Sequence, residues 1–271
     1  MYTGLLFSSE PLFYSILLIA SLGLAVTIFI MLFFITVGYG RHNKERWGPR
    51  INTHLGWFIM EIPTVVIMTL CLIFSDKRST VYFAFLFIWF LHYGHRVFIY
   101  PFTIRNGKKM TLTVVLMGFL FNVINAYIQG RWLFTFSTSG GLLFSLSTAD
   151  YSSNTWLYSP QFIIGTLLFC FGFFINKQSD HILRNLRKPG NDNSYSIPQG
   201  GFYNWITSPN YFGEIIEWVG WAILTWSIAG LYFTIWTIAN LLPRAISHHK
   251  WYKEQFEDYP ENRKALIPFL L

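Results

Sequence analysis

Residues 57–66 read WFIMEIPTVV, a strongly apolar stretch with a single carboxylate, Glu61, near its middle. The surrounding run from 54 to 74 is otherwise almost uncharged. If this run crosses a membrane as a helix, one acidic residue inside it costs about 2.5 to 3.5 kcal/mol on insertion scales. Ionisable groups at such positions usually have a function and a compensating partner. The sequence therefore predicts a transmembrane helix with a functional site around Glu61.

The composition of the whole chain extends this prediction. Of its 271 residues, 53% are hydrophobic and 12% are charged, whereas soluble domains carry about 25% charged residues. Apolar stretches long enough to span a bilayer recur along the chain. We predict one all-α domain, residues 1–271, with seven transmembrane helices in a bundle. The predicted spans are about 11–37, 54–74, 80–102, 111–129, 156–176, 211–228 and 229–246.

The distribution of charge predicts the orientation. The net charge is +7, and the basic residues concentrate in alternate connecting segments and in the carboxy-terminal tail. By the positive-inside rule, the amino terminus lies outside and the carboxyl terminus in the cytoplasm. The first span lacks a basic leading segment, so we expect it to be retained. We expect a multi-pass protein of a bacterial inner membrane or the endoplasmic reticulum. Its basic charge then needs no nucleic-acid partner.

Reactive groups on two predicted spans lie at a similar depth. At 1.5 Å per residue, Glu61 lies about 10 Å from the inner boundary, Tyr93 about 13 Å and Arg96 about 9 Å. Tyr93 and Arg96 are three residues apart and share a helix face. Cys71 and Cys170 lie in separate apolar stretches, and His92 and His95 lack a third ligand at metal-binding spacing. We therefore expect a site of polar side chains without a metal or a disulfide.

Three further segments carry polar residues at helical spacing near the same predicted inner side. They are Asn176, Asp180, Arg184 and Arg187; Asn210, Glu214 and Glu217; and Arg244, His248 and Tyr252. Guanidinium and amide donors facing one cavity suit an anionic, polyhydroxyl ligand such as a dinucleotide. GYG at 38–40 does not complete a GxGxxG loop and does not follow a strand. In the alternative interpretation these side chains cap helices, reach lipid headgroups or, like Asn122 and Asn125, link helices.

Several motifs together resemble the membrane-embedded steroid 5α-reductases, in order and over nearly the whole chain. They are GYGRH, WFIMEIP, HYGHRVFIY, INKQSDHILRNLRKPG, YSIPQGG, NYFGEIIEW and HHKWYKEQFEDYPENRKALIPFLL. The resemblance implies a seven-helix bundle that binds NADPH from the cytoplasmic side. It also implies reduction of the Δ4 double bond of a 3-oxosteroid that enters from the lipid. We expect the protein to act as a monomer.

The resemblance also implies roles for individual residues. The catalytic pair falls on Glu61 and Tyr93, which are expected to hold the 3-oxo oxygen, with Tyr93 and the substrate compensating Glu61. The cofactor-binding positions fall on Tyr39, Arg96, Asn176, Asp180, Arg187, Tyr195, Asn210, Arg244, His248 and Tyr252, to which we add Glu214 from the same helix face as Asn210. Ser196 stands where the family pattern has Arg. Arg184 and Lys188 are the candidates to supply this charge, and residues 191–194 are a candidate lid.

Three other functions fit parts of this pattern. A related membrane reductase would act on an enoyl thioester or a polyprenol with the same cofactor. A membrane methyltransferase using S-adenosylmethionine should show a carboxy-terminal Arg-His-Pro motif, which the sequence lacks. A seven-span transporter or receptor would use Glu61 and Arg96 as a proton relay or a buried pair.

Overall fold

The computed structural model describes residues 4–34, 48–104, 109–137, 149–186 and 195–271. Nearly all of the regular structure in these ranges is helical. The helices are α1 (Glu10–Phe34), α2 (Thr53–Ile73), α3 (Thr80–Phe98), α4 (Tyr100–Thr103), α5 (Leu112–Arg131), α6 (Pro160–Leu186), α7 (Pro209–Thr225) and α8 (Ile228–Gln255). A π-helical turn, Trp132–Phe136, prolongs α5, and 3-10 turns form at Asn154–Tyr158 and Gly201–Asn204.

Each of the seven predicted apolar segments contains one long helix. In the part of the chain that the structure describes, four helices are long and apolar enough to cross a membrane: α1, α2, α6, and α5 together with its π-helical turn. By contrast, α7 has only 17 residues, α3 ends in the polar sequence HYGHRVF, and α8 ends in a charged segment. The helical class and a set of membrane-length helices are thus confirmed, while the number seven and the orientation stay predictions.

Several helices begin or end at residues other than the limits of the predicted spans. The segment 80–102 is two helices, because Pro101 near the start of α4 provides no backbone N–H and disfavours a helical residue before it. α6 begins at Pro160 rather than near 156, after the 3-10 turn, and α8 continues past 246 to Gln255. The prediction also missed two short antiparallel strands, β1 (Arg50–Ile51) and β2 (Met110–Thr111), which pair before α2 and α5.

The α6–α7 contact is the closest helix packing around the predicted cofactor residues. Gly165 and Gly172 on α6 and Gly213 and Gly220 on α7 repeat at seven-residue spacing. A Cβ atom on Gly172 would lie 2.4 Å from the backbone nitrogen of Glu217 and 2.5 Å from the carbonyl oxygen of Gly213. The two backbones are therefore in contact, as small residues permit in membrane helix pairs. This contact fixes the polar ends of α6 and α7 side by side.

Buried aromatic rings pack α3 against α7. The ring centroids of Trp89 and Trp221 lie 5.3 Å apart, and those of Trp89 and Trp218 5.8 Å apart. The indole N–H of Trp89 donates a hydrogen bond to the carbonyl of Thr64 on α2 at 3.2 Å. Aromatic pairs at these distances contribute about 0.5 to 1.5 kcal/mol beyond the burial of their area. The rings thus hold α2, α3 and α7 in a fixed relation around Tyr93.

A buried ion pair between Glu10 and Arg131 fastens α1 to α5. Arg131 donates from Nε to Oε1 of Glu10 at 2.7 Å and from Nη2 to Oε2 at 2.8 Å. The hydroxyl of Tyr127 and the backbone N–H of Leu6 also donate to this carboxylate, each at 2.8 Å. Such full hydrogen bonding offsets the desolvation of both charges. Arg131 is nine residues from Asn122, about 14 Å along α5.

Candidate active site

Glu61 lies on α2 and its carboxylate is almost fully buried, with 6% of its side chain exposed. Arg96 on α3 donates from Nε to its Oε1 at 3.0 Å. Asn122 on α5 donates to its Oε2 at 3.2 Å and to the carbonyl of Met60 at 2.8 Å. The similar depths of Glu61 and Arg96 in the sequence thus correctly predicted a contact between α2 and α3 here. Three helices meet at this carboxylate.

The expected compensation of Glu61 by Tyr93 was wrong in the described structure. The donors to its carboxylate among the described residues are Arg96 and Asn122. Arg96 also lies over the rings of Trp57, at 4.8 Å, and Tyr100, at 5.3 Å. A guanidinium is always charged and can stack on aromatic faces while it donates to a carboxylate. Arg96, which the resemblance assigned to the cofactor, is therefore the immediate charge partner of Glu61.

Tyr93 is buried on α3, one turn before Arg96. Asn125 on α5 donates a hydrogen bond to its hydroxyl oxygen at 3.4 Å, and the ring of Trp89 lies 4.5 Å from its own ring. Its hydroxyl hydrogen has no acceptor among the described residues. An O–H group that accepts from the protein and has a free hydrogen is arranged to donate to a ligand.

Asn122 and Asn125 connect the two predicted catalytic residues. They are three residues apart and share one face of α5, and they contact Glu61 and Tyr93 respectively. Sequence analysis left them open between helix linkage and function. Here they do both, since each hydrogen bond joins α5 to another helix and also orients a reactive group. α5 therefore sets the relative position of the carboxylate and the phenol.

A polar chain between α6 and α7 brings together four of the predicted cofactor residues. Asn176 donates to the carbonyl of Asn210 at 3.0 Å and to Oε2 of Glu214 at 3.4 Å. Asn210 in turn donates to Oδ1 of Asp180 at 3.4 Å. The close α6–α7 packing makes these contacts possible. The helix-face prediction for these residues is consistent with the structure.

Several buried polar atoms on α3, α6 and α8 have no hydrogen-bond partner in the described part of the molecule. The donors are Lys177 Nζ, Arg184 Nη1 and Arg244 Nε, Asn176 Oδ1 is an acceptor, and His95 Nδ1 can take either role according to its tautomer. A buried donor without a partner costs about 1 to 3 kcal/mol, and more when it is charged. Three of these donors belong to cationic side chains on α6 and α8. The residues therefore fit an anionic ligand that also offers hydrogen-bonding groups, as a phosphate-bearing nucleotide does.

Aromatic residues lie on and beside the carboxy-terminal half of α8. The rings of His248 and Tyr211 lie 5.5 Å apart, Tyr252 stacks on Tyr259 at 5.5 Å, and Tyr195 meets Trp251 at 5.1 Å. His248 is one helical turn after Arg244 on α8, so its ring lies on the same helix face. Of the predicted cofactor residues, Tyr39 and Arg187 lie outside the described residues, as do Lys188 and the candidate lid at 191–194.

Sequence analysis missed two features of this region. Arg263 in the carboxy-terminal segment is buried and donates to the carbonyl of Pro198 at 3.2 Å, which holds the chain before α7. His92 and Glu217 form a buried pair at 2.7 Å. The spacing of Glu217 with Asn210 and Glu214 was the available signal for it. Among the described residues, no group of three or more His, Cys, Asp or Glu side chains could hold a metal ion.

Comparison with known proteins identifies the family. A sequence model described as 3-oxo-5-alpha-steroid 4-dehydrogenase matches residues 108–271. A steroid 5-alpha-reductase of Solanum lycopersicum is 39% identical over 272 residues, covering 98% of this chain and 100% of that protein. A human 3-oxo-5-alpha-steroid 4-dehydrogenase 1 is 40% identical over 236 residues, covering 86% of this chain and 85% of that protein. The chain therefore belongs to the 3-oxo-5-alpha-steroid 4-dehydrogenase family of oxidoreductases.

Proposed function

We propose that the protein reduces the Δ4 double bond of 3-oxo-Δ4-steroids to 5α-dihydrosteroids with NADPH, and that Glu61 and Tyr93 form its catalytic pair. The observation that carries this proposal is the Tyr93 hydroxyl, whose hydrogen has no acceptor among the described residues. Asn125 of α5 contacts this hydroxyl, and Asn122 of the same helix contacts the Glu61–Arg96 pair. The family membership supports the choice of a steroid, because the relatives are named for steroid reduction.

The reaction requires a donor at the carbonyl oxygen of the substrate. When carbon 5 receives a hydride, negative charge develops on the 3-oxo oxygen as an enolate. Tyr93 donates its hydrogen to this oxygen, in a buried site where a hydrogen bond is stronger than in water. Glu61 keeps the guanidinium of Arg96 near the same position, so that its positive charge also stabilises the enolate. Removing one donor of this kind typically lowers turnover about 100- to 1000-fold.

The cofactor site lies between α3, α6, α7 and α8 in this proposal. Asn176, Asp180, Asn210 and Glu214 provide hydrogen-bonding groups, and Arg96 and Arg244 provide positive charge. The rings of Tyr195, His248 and Tyr252 border it, and Tyr39 and Arg187 join it on the resemblance alone. When bound, NADPH supplies the hydride. Arg184, whose Nη1 atom has no described partner, replaces the charge that the family pattern places at Ser196.

The membrane arrangement completes the proposal. We infer seven spans with the carboxyl terminus and the cofactor site on the cytoplasmic side, as the charge distribution predicts. The steroid enters from the surrounding lipid, in which it is already dissolved, and the protein acts as a monomer. The Glu61–Arg96 pair is also the feature expected of a transporter. Membership in an oxidoreductase family instead favours a catalytic role for this pair.

The test is product identification with purified protein in detergent, NADPH and testosterone or progesterone. We expect the 5α-dihydro product, and no turnover of an enoyl thioester or a polyprenol assayed in parallel. Tyr93→Phe should lower turnover about 100- to 1000-fold while NADPH still binds. The control is Tyr14→Phe, which removes a buried hydroxyl bonded to the carbonyl of Ile128. Turnover of another substrate class, or a normal rate in Tyr93→Phe, would refute the proposal.

A further inference from the structure

His92 and Glu217 form a buried pair next to the proposed catalytic tyrosine. Nδ1 of His92 lies 2.7 Å from Oε1 of Glu217, and the two side chains are 3% and 0% exposed. The ring of His92 meets the ring of Tyr93 at 4.8 Å and the ring of Trp218 at 4.7 Å. Burying two ionisable side chains is expensive, because both lose their hydration. The pair has no task in the proposed function described so far.

Both members of the pair have hydrogen-bonding atoms left over. Oε2 of Glu217 is buried without a partner among the described residues. The second ring nitrogen of His92, Nε2, has no hydrogen-bond partner in the same part of the chain. A purely structural link between α3 and α7 would be expected to satisfy these atoms. Each end of the pair therefore has one atom available for a hydrogen bond to a ligand or a water molecule.

Charged groups from four helices face this pair. Lys177 of α6, Glu214 of α7, Arg96 of α3 and Glu61 of α2 act electrostatically on His92. Lys177 and Arg96 also act on Glu217. Nζ of Lys177 is buried and has no described partner. The pair therefore lies within electrostatic range of ionisable side chains on α2, α3, α6 and α7.

The proposed reaction needs a proton as well as a hydride. The hydride forms the new bond to carbon 5, and the electron pair of the C4–C5 double bond moves onto carbon 4 and the carbonyl oxygen as an enolate. A proton must then form the new bond to carbon 4. Tyr93 stabilises the enolate in the proposed function, but a buried site has little free water to supply this proton. General acids of this type typically contribute about 100- to 10,000-fold.

We propose that His92, backed by Glu217, holds and delivers the proton that is added at carbon 4. Nε2 of His92 gives its proton to carbon 4, directly or through one water molecule, while Nδ1 takes the proton of the Glu217 carboxyl group. Glu217 is left as a carboxylate, and cytoplasmic water restores its proton past Lys177. One proton from solvent is consumed in each turnover, which balances the reduction. The assignment rests on the proposed function and deepens it.

The test compares isotope effects in wild-type protein and Glu217→Gln. The glutamine keeps the size and a hydrogen bond to His92 but has no proton to give. We expect turnover to fall about 100-fold with an unchanged dissociation constant for NADPH, measured by binding. The solvent isotope effect in deuterated water should rise, and the effect of deuterium at carbon 4 of the NADPH nicotinamide should shrink, because protonation becomes slower than hydride transfer.

Gln129→Met is the matched structural control. Gln129 links the buried Trp221 indole, at 2.9 Å, to the carbonyl of Ala229, at 2.6 Å. Its loss should lower stability and leave both isotope effects as in the wild type. Unchanged isotope effects in Glu217→Gln would overturn the assignment. If Glu217→Gln does not fold, the test uses His92→Gly with imidazole added to the assay. Recovery of turnover by imidazole would support the assignment, and no recovery would overturn it. Wild-type protein without steroid reduction would instead refute the proposed function.

Discussion

A double-mutant cycle on Glu61 and Arg96 separates the structural task of this pair from its catalytic task. The variants are Glu61→Gln, Arg96→Gln and the double variant. Removing one partner of a buried ion pair costs about 3 to 5 kcal/mol, because the other charge stays buried without compensation. The two single variants should lose different amounts of stability, because the two side chains are buried to different extents. The side chain of Arg96 is 19% exposed, against 6% for Glu61.

The size of each loss depends on the contacts that remain to the other charged residue. In Glu61→Gln, the Arg96 guanidinium still lies over two aromatic rings, so we expect about 3 kcal/mol. In Arg96→Gln, the more deeply buried carboxylate keeps only the Asn122 amide, so we expect about 5 kcal/mol. The double variant buries no charge and should be less destabilised than Arg96→Gln alone. The coupling energy should therefore be at least about 3 kcal/mol, the top of the usual range for residues in contact.

Stability is measured by denaturant titration in mixed micelles, followed by tryptophan fluorescence, and turnover is measured on the same samples. The double variant should regain stability without regaining turnover, because the carboxyl group is still missing. Regained turnover would show that Glu61 serves only to neutralise Arg96. Single-variant costs below about 1 kcal/mol, typical of exposed pairs, would show that the pair is not buried in this way.

Three further predictions concern packing, titration and cofactor charge. Gly172→Ala should lower stability by about 1 to 3 kcal/mol, because the added Cβ would meet the α7 backbone. The control Gly23→Ala should keep the stability of the wild type, since its Cβ would meet nothing within 4 Å. Equal melting temperatures of the two variants would contradict this prediction. Burial lowers the pKa of Lys77 from its ordinary value of 10.5 to about 8. The unfolded chain therefore binds more protons between these values, so stability should rise with pH from 8 to 10.5 relative to Lys77→Met, which should lack this rise. Arg184→Gln should weaken NADPH binding roughly 10- to 100-fold, as expected for the loss of a charged hydrogen bond. Binding of NADH, which lacks the adenosine phosphate, should weaken less. Equal losses for both cofactors would show that Arg184 does not bind this phosphate.

The sequence predicted the helices well where hydropathy and length decide them. α2 begins at Thr53 and ends at Ile73, within one residue of the predicted span at each end. The errors lie where local backbone chemistry overrides hydropathy. The break at Ile99 follows from Pro101, which the apolar run around it masked. The start of α6 moved to Pro160, a residue that suits the first turn of a helix because the N–H it lacks would be unpaired there.

The site shows a different limit of sequence reasoning. The position of a residue along a span gives its depth, and this brought Glu61, Tyr93 and Arg96 to the same region. Depth does not give the rotation of each helix about its axis, and rotation decides which side chains touch. Arg96 therefore takes the contact with Glu61 that was assigned to Tyr93, while Asn125 takes the hydroxyl of Tyr93. Because Asn122 and Asn125 sit on one face of α5, that single helix fixes both partners. A small rotation of α5 would remove both asparagine contacts, so the orientation of the carboxylate and of the phenol depends on the packing of α5 against α2.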